Sequence, residues 1–453
     1  MRKVSVAALT CFLVAAPVAR AAEYYVSPAG NNGNPGTRES PWKTIQKAAD
    51  VMKPGDTVRI AAGVYHEAVR TVRDGSPEPG MIIFAALGDG PAVLDGSGVD
   101  AETGFTIGHS YVRLSGLEIR DWSGTGIWMS RAAHVVIEDC EVHDMPYGIG
   151  AADGSHHFSL DRVQIHHIDL YGFDASPSGG ADCHDGTLTD CVAHTGRDRE
   201  QNVDGFALGH GGQHGFRLLR CEAYELCDGF DVSAGDTTLD KCSAHDCWNA
   251  GYKLWQDNIV LRNCLGFESG NANVELDWDG SPGTVSLLNC TFVGSETFNV
   301  WVENPGDSLR MFNCIVAGGR NIGLAFEQPG TKNYKGDYNI FHNADMARGV
   351  VVAYEDEFSL DGIASGAWTS ASHQDGHSLI VKDPTRLFMN LDARDFRLRP
   401  GSPAIDSGTS ENAPADDIEG KPRPAGAGFD RGAFERTPSD GAAEPAVSLG
   451  GMS

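Results

Sequence analysis

Residues 202–255 read NVDGFALGHGGQHGFRLLRCEAYELCDGFDVSAGDTTLDKCSAHDCWNAGYKLW, and three segments inside this stretch overlay: Asp204-Gly205-Phe206, Asp228-Gly229-Phe230-Asp231 and Gly251-Tyr252-Lys253-Leu254-Trp255. They share an x-Gly-aromatic-x pattern whose glycines are 24 and 22 residues apart. A recurring interval of that length marks units too short to enclose a core alone, which must stack on their neighbours to bury anything.

The repeat extends both ways. One column holds Leu117, Cys140, Val163, Cys191, Cys221, Cys242, Cys264, Cys290 and Cys314. Three residues earlier stand Leu114, Ile137, Leu160, Leu188, Leu218, Leu239, Leu261, Leu287 and Met311; two residues later, Ile119, Val142, Ile165, Ala193, Ala223, Ala244, Gly266, Phe292 and Val316. Each unit contains two or three short β-runs separated by Gly, Asn, Asp or Ser and no helical periodicity, which excludes a leucine-rich repeat with its fixed Leu spacing and helix. The fold expected is all-β, a right-handed parallel β-helix or solenoid, with rungs ~4.8 Å apart and outward residues in straight ladders.

The ends differ from this middle. Arg2-Lys3, an apolar run from Val4 to Val18 and Ala19-Arg20-Ala21 form a charged start, a run too short to span a membrane and a small-residue cleavage site, so residues 1–22 read as a signal peptide and the chain as secreted or periplasmic. Residues 23–80 hold a strand at Tyr24–Ser27, a short capping helix with apolar Ile45, Ala48, Ala49 and Met52 at helical spacing, and the first rung. The β-helix body covers 81–345, residues 346–436 read as C-terminal rungs and cap, and 437–453, rich in Ala, Ser, Gly and Pro, as a disordered tail.

The formal charge of −27 argues against nucleic acid as a partner and means that an anionic substrate needs a local cation. No further stretch approaches the ~18 apolar residues of a membrane span. The cysteine column reads as stacked buried thiols, leaving Cys183, Cys227 and Cys247 as the residues open to a disulfide. The histidines sit at scattered rung positions and read as solvated or packing residues.

Indexing each rung on its Gly-apolar or Asn-apolar pair gives an outward ladder Trp128, Gly150, Asp174, Ala207, Asp231, Lys253, Glu275, Trp301, Ala325, and beside it Thr125, Tyr147, Tyr171, Asp204, Asp228, Ala250, Ala272, Phe298, Ile322. Asp204, Asp228 and Asp231 thus converge, and crowded carboxylates are relieved by protonation or by a hard cation such as Ca2+. A lysine beside bound calcium loses affinity for its proton and becomes a competent base, which singles out Lys253.

Asn202-Val203-Asp204-Gly205-Phe206-Ala207, Cys227-Asp228-Gly229-Phe230-Asp231 and Ala250-Gly251-Tyr252-Lys253-Leu254 resemble the central motifs of polysaccharide lyase family 9, calcium-dependent β-helical pectate lyases. Cys227 stands where that family carries the first of two adjacent aspartates. The resemblance implies Ca2+ on Asp204, Asp228 and Asp231, Lys253 as catalytic base, and β-elimination on a uronic-acid polysaccharide. Trp255, Trp278 and Trp301 are candidate sugar platforms, with Glu275 beside them on the ladder as a further substrate-binding candidate. Arg217, Arg220, Lys241 and Arg262 are the basic residues available to help if they face the groove. The partner expected is therefore an acidic polysaccharide bound by a monomer. Two alternatives stay open: a glycoside hydrolase of polygalacturonase type, suggested by Gly209-His210-Gly211, and a non-catalytic carbohydrate-binding or adhesin β-helix.

Overall fold

The computed structural model describes residues 21–437 apart from 79, 177–179, 210, 277–282, 304–307, 319–321, 328–332, 343–349 and 354. The expected signal peptide (but for its last two residues), the expected tail after Thr437, and Trp278 lie outside the described residues.

The chain coils into a parallel β-solenoid of three strand ladders. The first runs from Glu23–Val26 to Tyr334–Asp337, the second from Gly63–Tyr65 to Leu379–Ile380, and the third from Val69–Arg70 to Val351–Ala353. Neighbouring rungs pair in the register read from the columns: Leu188 opposite Leu218, Ala193 opposite Ala223, Asp204 opposite Asp228 and Asp231 opposite Lys253. Every second side chain along a strand points inward, and inward residues such as Leu218, Ala223 and Phe230 are at most 1% exposed. Stacking identical positions at one rung spacing is what closes this core, since no single rung encloses one.

A helix at Ile45–Val51 covers the first rung. Thr44 caps it by accepting from the Lys47 amide, and Ile45, Ala48 and Ala49 are its buried face. No helix among the described residues is long and apolar enough to cross a membrane.

The cysteine column is buried and unbridged, and Cys183, Cys227 and Cys247 are free thiols as well. From Cys221 onward the stacked thiols donate to the preceding rung: Cys221 to Leu188 O at 3.5 Å, Cys242 to Leu218 O at 3.5 Å, Cys264 to Leu239 O at 3.4 Å, Cys290 to Leu261 O at 3.5 Å and Cys314 to Leu287 O at 3.3 Å. Cysteine is small enough for the interior corner and supplies a weak donor there.

The residue before each cysteine-column position turns the corner in the left-handed region: Asp139, Arg162, Asp190, Arg220, Lys241, Asn263, Asn289 and Asn313 all have φ between 52° and 59°. That conformation costs a non-glycine residue roughly 1–2 kcal/mol and is least unfavourable for Asn and Asp. Arg162 grips Asp139 at 2.7 and 3.1 Å, and Arg220 grips Asp190 at 2.6 and 2.7 Å. From Lys241 onward the partners come from the C-terminal segment. Lys241 Nζ meets Asp416 at 2.7 Å, Arg423 reaches Asn263, and the amides of Asn289 and Asn313 donate to Asp430 O and Thr409 O at 2.9 and 2.8 Å.

The region expected to supply closing rungs and a cap therefore divides. Val351–Ala353 and Leu379–Ile380 continue the stack, whereas residues 388–436 fold back as a lateral strap. Phe388, Phe396 and Leu398 of the strap pack on Phe267, Val293 and Ile315, which face outward from the second ladder and need a cover.

The histidines are in register rather than scattered. Along the second ladder His143, His166, His194, Tyr224, His245 and Phe267 stack ring on ring at 4.6–5.0 Å. His156, His184 and His214 form a second column at a turn, at 4.9 and 5.3 Å. A parallel ladder places equivalent positions one rung apart, which is the stacking distance of aromatic rings.

Candidate active site

Three consecutive strands of the third ladder, Asp204–Leu208, Asp228–Val232 and Ala250–Leu254, carry the site. Their inner faces are an aromatic stack, Phe206 on Phe230 at 5.1 Å and Phe230 on Tyr252 at 5.0 Å, each pair worth ~0.5–1.5 kcal/mol beyond its burial. The preceding glycines answer to close approach: a Cβ on Gly205 would lie 2.6 Å from Gly229 O, and one on Gly229 2.7 Å from Gly251 O. The x-Gly-aromatic pattern thus lets the rungs close while the residues on either side project outward.

Outside, carboxylate oxygens of Asp204, Asp228 and Asp231 lie within 4.8 Å of one another. Asp204 and Asp228 are 1% and 0% exposed. Burial, then the charges of Asp231 and Asp228, push the Asp204 carboxyl well above its ordinary range, with Lys253 opposing. Asp204 Oδ2 accepts from Asn202 Nδ2 at 3.1 Å, while its buried Oδ1 meets no hydrogen-bond donor among the described residues. Asp228 Oδ1 accepts from Asn249 Nδ2 at 2.7 Å and from the Ala250 amide at 2.9 Å, and Oδ2 faces Lys253 Nζ at 3.9 Å. Lys253 Nζ also sits 4.4 Å from the centre of the Trp255 ring.

These groups open into a groove of about 290 Å³ that Tyr171, Asp174, Ser176, Asn202 and Trp255 also line. The donor set suits a hard cation: three carboxylates, with the buried Asp204 Oδ1 lacking a hydrogen-bond donor among the described residues. Cys227 adds nothing to it. Burial, then Asp228 and Asp204, push its thiol up to about 12, so it stays protonated, and its sulfur is soft.

The structure brings Asp204, Asp228, Asp231, Lys253 and Trp255 together. Glu275, 5% exposed, is the next rung after Lys253, and Trp301 the rung beyond, lying against Phe298 at 5.0 Å. The basic residues expected to help do not reach the groove. They belong to the first ladder and its corner, where Asp190 holds Arg220, Asp416 holds Lys241 and Asp240 holds Arg262. Asn202 and Asn249, which orient two of the acids, were missed as site residues. Asn249 stands one residue before the column position Ala250 and Asn202 two before Asp204, places the index skips.

A family described as "Pel9A-like, right handed beta helix region" matches residues 24–304, which also gives the hand of the coil. The pectate lyase PEL9 of Emericella nidulans is 23% identical over 298 residues, 60% of this chain and 68% of that protein. YwoF of Bacillus subtilis is 33% identical over 131 residues, 25% of this chain and 27% of its own length. The crystal structure of pectate lyase Pel9A superposes with a TM-score of 0.58 at 17% identity, covering 93% of this chain and 98% of that one, a likeness of fold.

Proposed function

This chain belongs to the Pel9A-like right-handed β-helix family, and on that premise we propose that it is an exported, monomeric, calcium-dependent lyase that breaks a uronic-acid polysaccharide by β-elimination with Lys253 as base. The observation that carries the reading is the pairing of one lysine, 3.9 Å from Asp228, with a cage of three carboxylates, two of them buried. Acids so placed serve to hold a cation, and a cation answers the charge problem of an anionic sugar approaching a protein of net charge −27. When bound by Asp204, Asp228 and Asp231, Ca2+ supplies neutralisation of the uronate carboxylate, acidification of the C5 proton and a field that favours the neutral amine of Lys253.

The chain's own residues do the rest. Trp255 holds its ring against Lys253 Nζ in the groove, and Asn249 fixes Asp228 beside it. Lys253 Nζ takes the C5 proton, and the C5–H electron pair becomes the C4=C5 double bond. The C4–O bond breaks, and the departing glycosidic oxygen is protonated by water. The products are an unsaturated uronate end and a shortened chain.

The test is the purified protein on polygalacturonate and alginate, with CaCl2 or with EDTA, followed by the ultraviolet absorbance of the unsaturated end. The expected result is calcium-dependent product that falls about 10²- to 10⁴-fold in Lys253→Ala. New reducing ends without unsaturation would indicate hydrolysis, and no cleavage of either uronan would sink the elimination reading.

A further inference from the structure

Resting on that reading of the groove, we propose that it continues toward the N-terminal rungs as an aromatic track of Tyr171, Tyr147 and Trp128, which binds sugars of the same chain beyond the acidic cage. Tyr171 lines the groove and occupies the rung before Asp204 in the same column. Tyr147 is one rung further, its ring 5.8 Å from that of Tyr171 and tilted by 45°. In the adjoining column the sequence of rungs outward from the cage is Asp231, Ala207, Asp174, Gly150, Trp128.

Gly150 explains how Trp128 sits. A Cβ on Gly150 would lie 2.4 Å from the Trp128 ring, so the indole lies down across the neighbouring rung instead of standing off the sheet. Trp128 is half-buried, unlike Trp122, which is core at 2% exposure. A ring laid flat on a sheet surface presents one apolar face outward, and the apolar face of a pyranose is its natural partner.

The three rings are uncharged, and the one acid in the adjoining column, Asp174, is buried next to the cage with Ser176 donating to its carboxylate. Stacking on a sugar's C–H face leaves the carboxylate pointing away to water, so an anionic chain is held without a cation at every ring. At ~4.8 Å per rung, the four steps from Trp128 to Asp231 span ~19 Å, room for several sugars in line with the solenoid axis. The ligand is a run of several linked sugars of an acidic polysaccharide.

Retardation of the full-length protein in native gels cast with polygalacturonate or alginate, in EDTA so that the matrix is not cut, tests the track. Trp128→Ala is expected to weaken retention about three- to ten-fold, Trp128→Phe to restore most of it, and Tyr147→Leu to weaken it independently. Thermal melts matching the parent's establish that the variants are folded. Retention of Trp128→Ala and Tyr147→Leu equal to the parent's, or a parent retained by neither polymer, overturns the track. Trp128-dependent retention without unsaturated product supports the track and overturns the elimination reading. Product with unchanged retention does the reverse.

Discussion

Asp204→Asn separates a cation cage from a set of ordinary turn aspartates. Two carboxylates 4.8 Å apart repel by about 3.5 kcal/mol at an effective dielectric constant of about 20, and Asp204 has two such neighbours. Protonation sets a ceiling on the cost: holding a carboxyl neutral at pH 7 against an ordinary value of 3.8 takes roughly 4 kcal/mol. The folded, metal-free protein therefore carries a penalty of that order at this side chain. An amide of the same shape removes it, and its oxygen still accepts from Asn202. In EDTA at pH 7, urea unfolding followed by circular dichroism should find the variant about 2–4 kcal/mol more stable than the parent. With calcium at 100 times its Kd the parent should gain about 2.7 kcal/mol, and the variant, short of one ligand, much less. The advantage of the variant should then shrink by about 2 kcal/mol or vanish. Cys227→Asp should shift both quantities the other way, with lower stability in EDTA and a larger calcium-dependent gain. A variant less stable than the parent in EDTA, or a parent indifferent to calcium, refutes the electrostatic reasoning.

Two further outcomes follow from groups far from the cage. Burial, then His166 and His167, lower the His194 pKa to about 4, while the unfolded imidazole takes its proton near 6.5. The unfolded chain thus binds more protons between these values, so stability present above pH 6.5 is lost as pH falls toward 4. His194→Tyr, which keeps the stack on Tyr224, should lessen the drop in Tm between pH 7 and 4.5; an unchanged drop would remove His194 as its cause. Arg423 and Glu435 are a fully buried pair at 2.7 Å inside the strap. Arg423→Met, which leaves that carboxylate uncompensated, should cost about 3–5 kcal/mol in urea unfolding, and Arg423→Met/Glu435→Leu should recover much of it.

The fold was legible because a parallel ladder makes sequence period and spatial register the same thing. Once Leu188, Leu218 and Leu239 fall in one column, Asp231 and Lys253 must fall in another, and their pairing follows without a structure. The three acids and the lysine were legible for that reason. The strap was not, because it has no period: Thr409, Asp416, Arg423 and Asp430 meet rungs 96 to 175 residues away in the chain, with nothing in local sequence to announce the contact. Its trace was nevertheless present in the corner residues. Arg and Asp alternate from Asp139 to Arg220, and Asn takes over at Asn263, Asn289 and Asn313, which are buried against the strap. The oriented roles of Asn202 and Asn249 escaped because side chain to side chain bonds between rungs depend on rotamers, which a column index does not contain.

The strap also gives the molecule an order of assembly. Rungs up to Arg220 can settle as they are made, each on the one before, because their corners are satisfied by residues one rung away. The corners at Asn289 and Asn313 and the outward faces of Phe267, Val293 and Ile315 wait for partners in the strap, which is made later. During that interval the later half of the solenoid shows the same unpaired amides and apolar strip that a neighbouring chain would find adhesive. A chaperone holding the nascent protein would have its most durable footing there, and docking of the strap is the event that releases it.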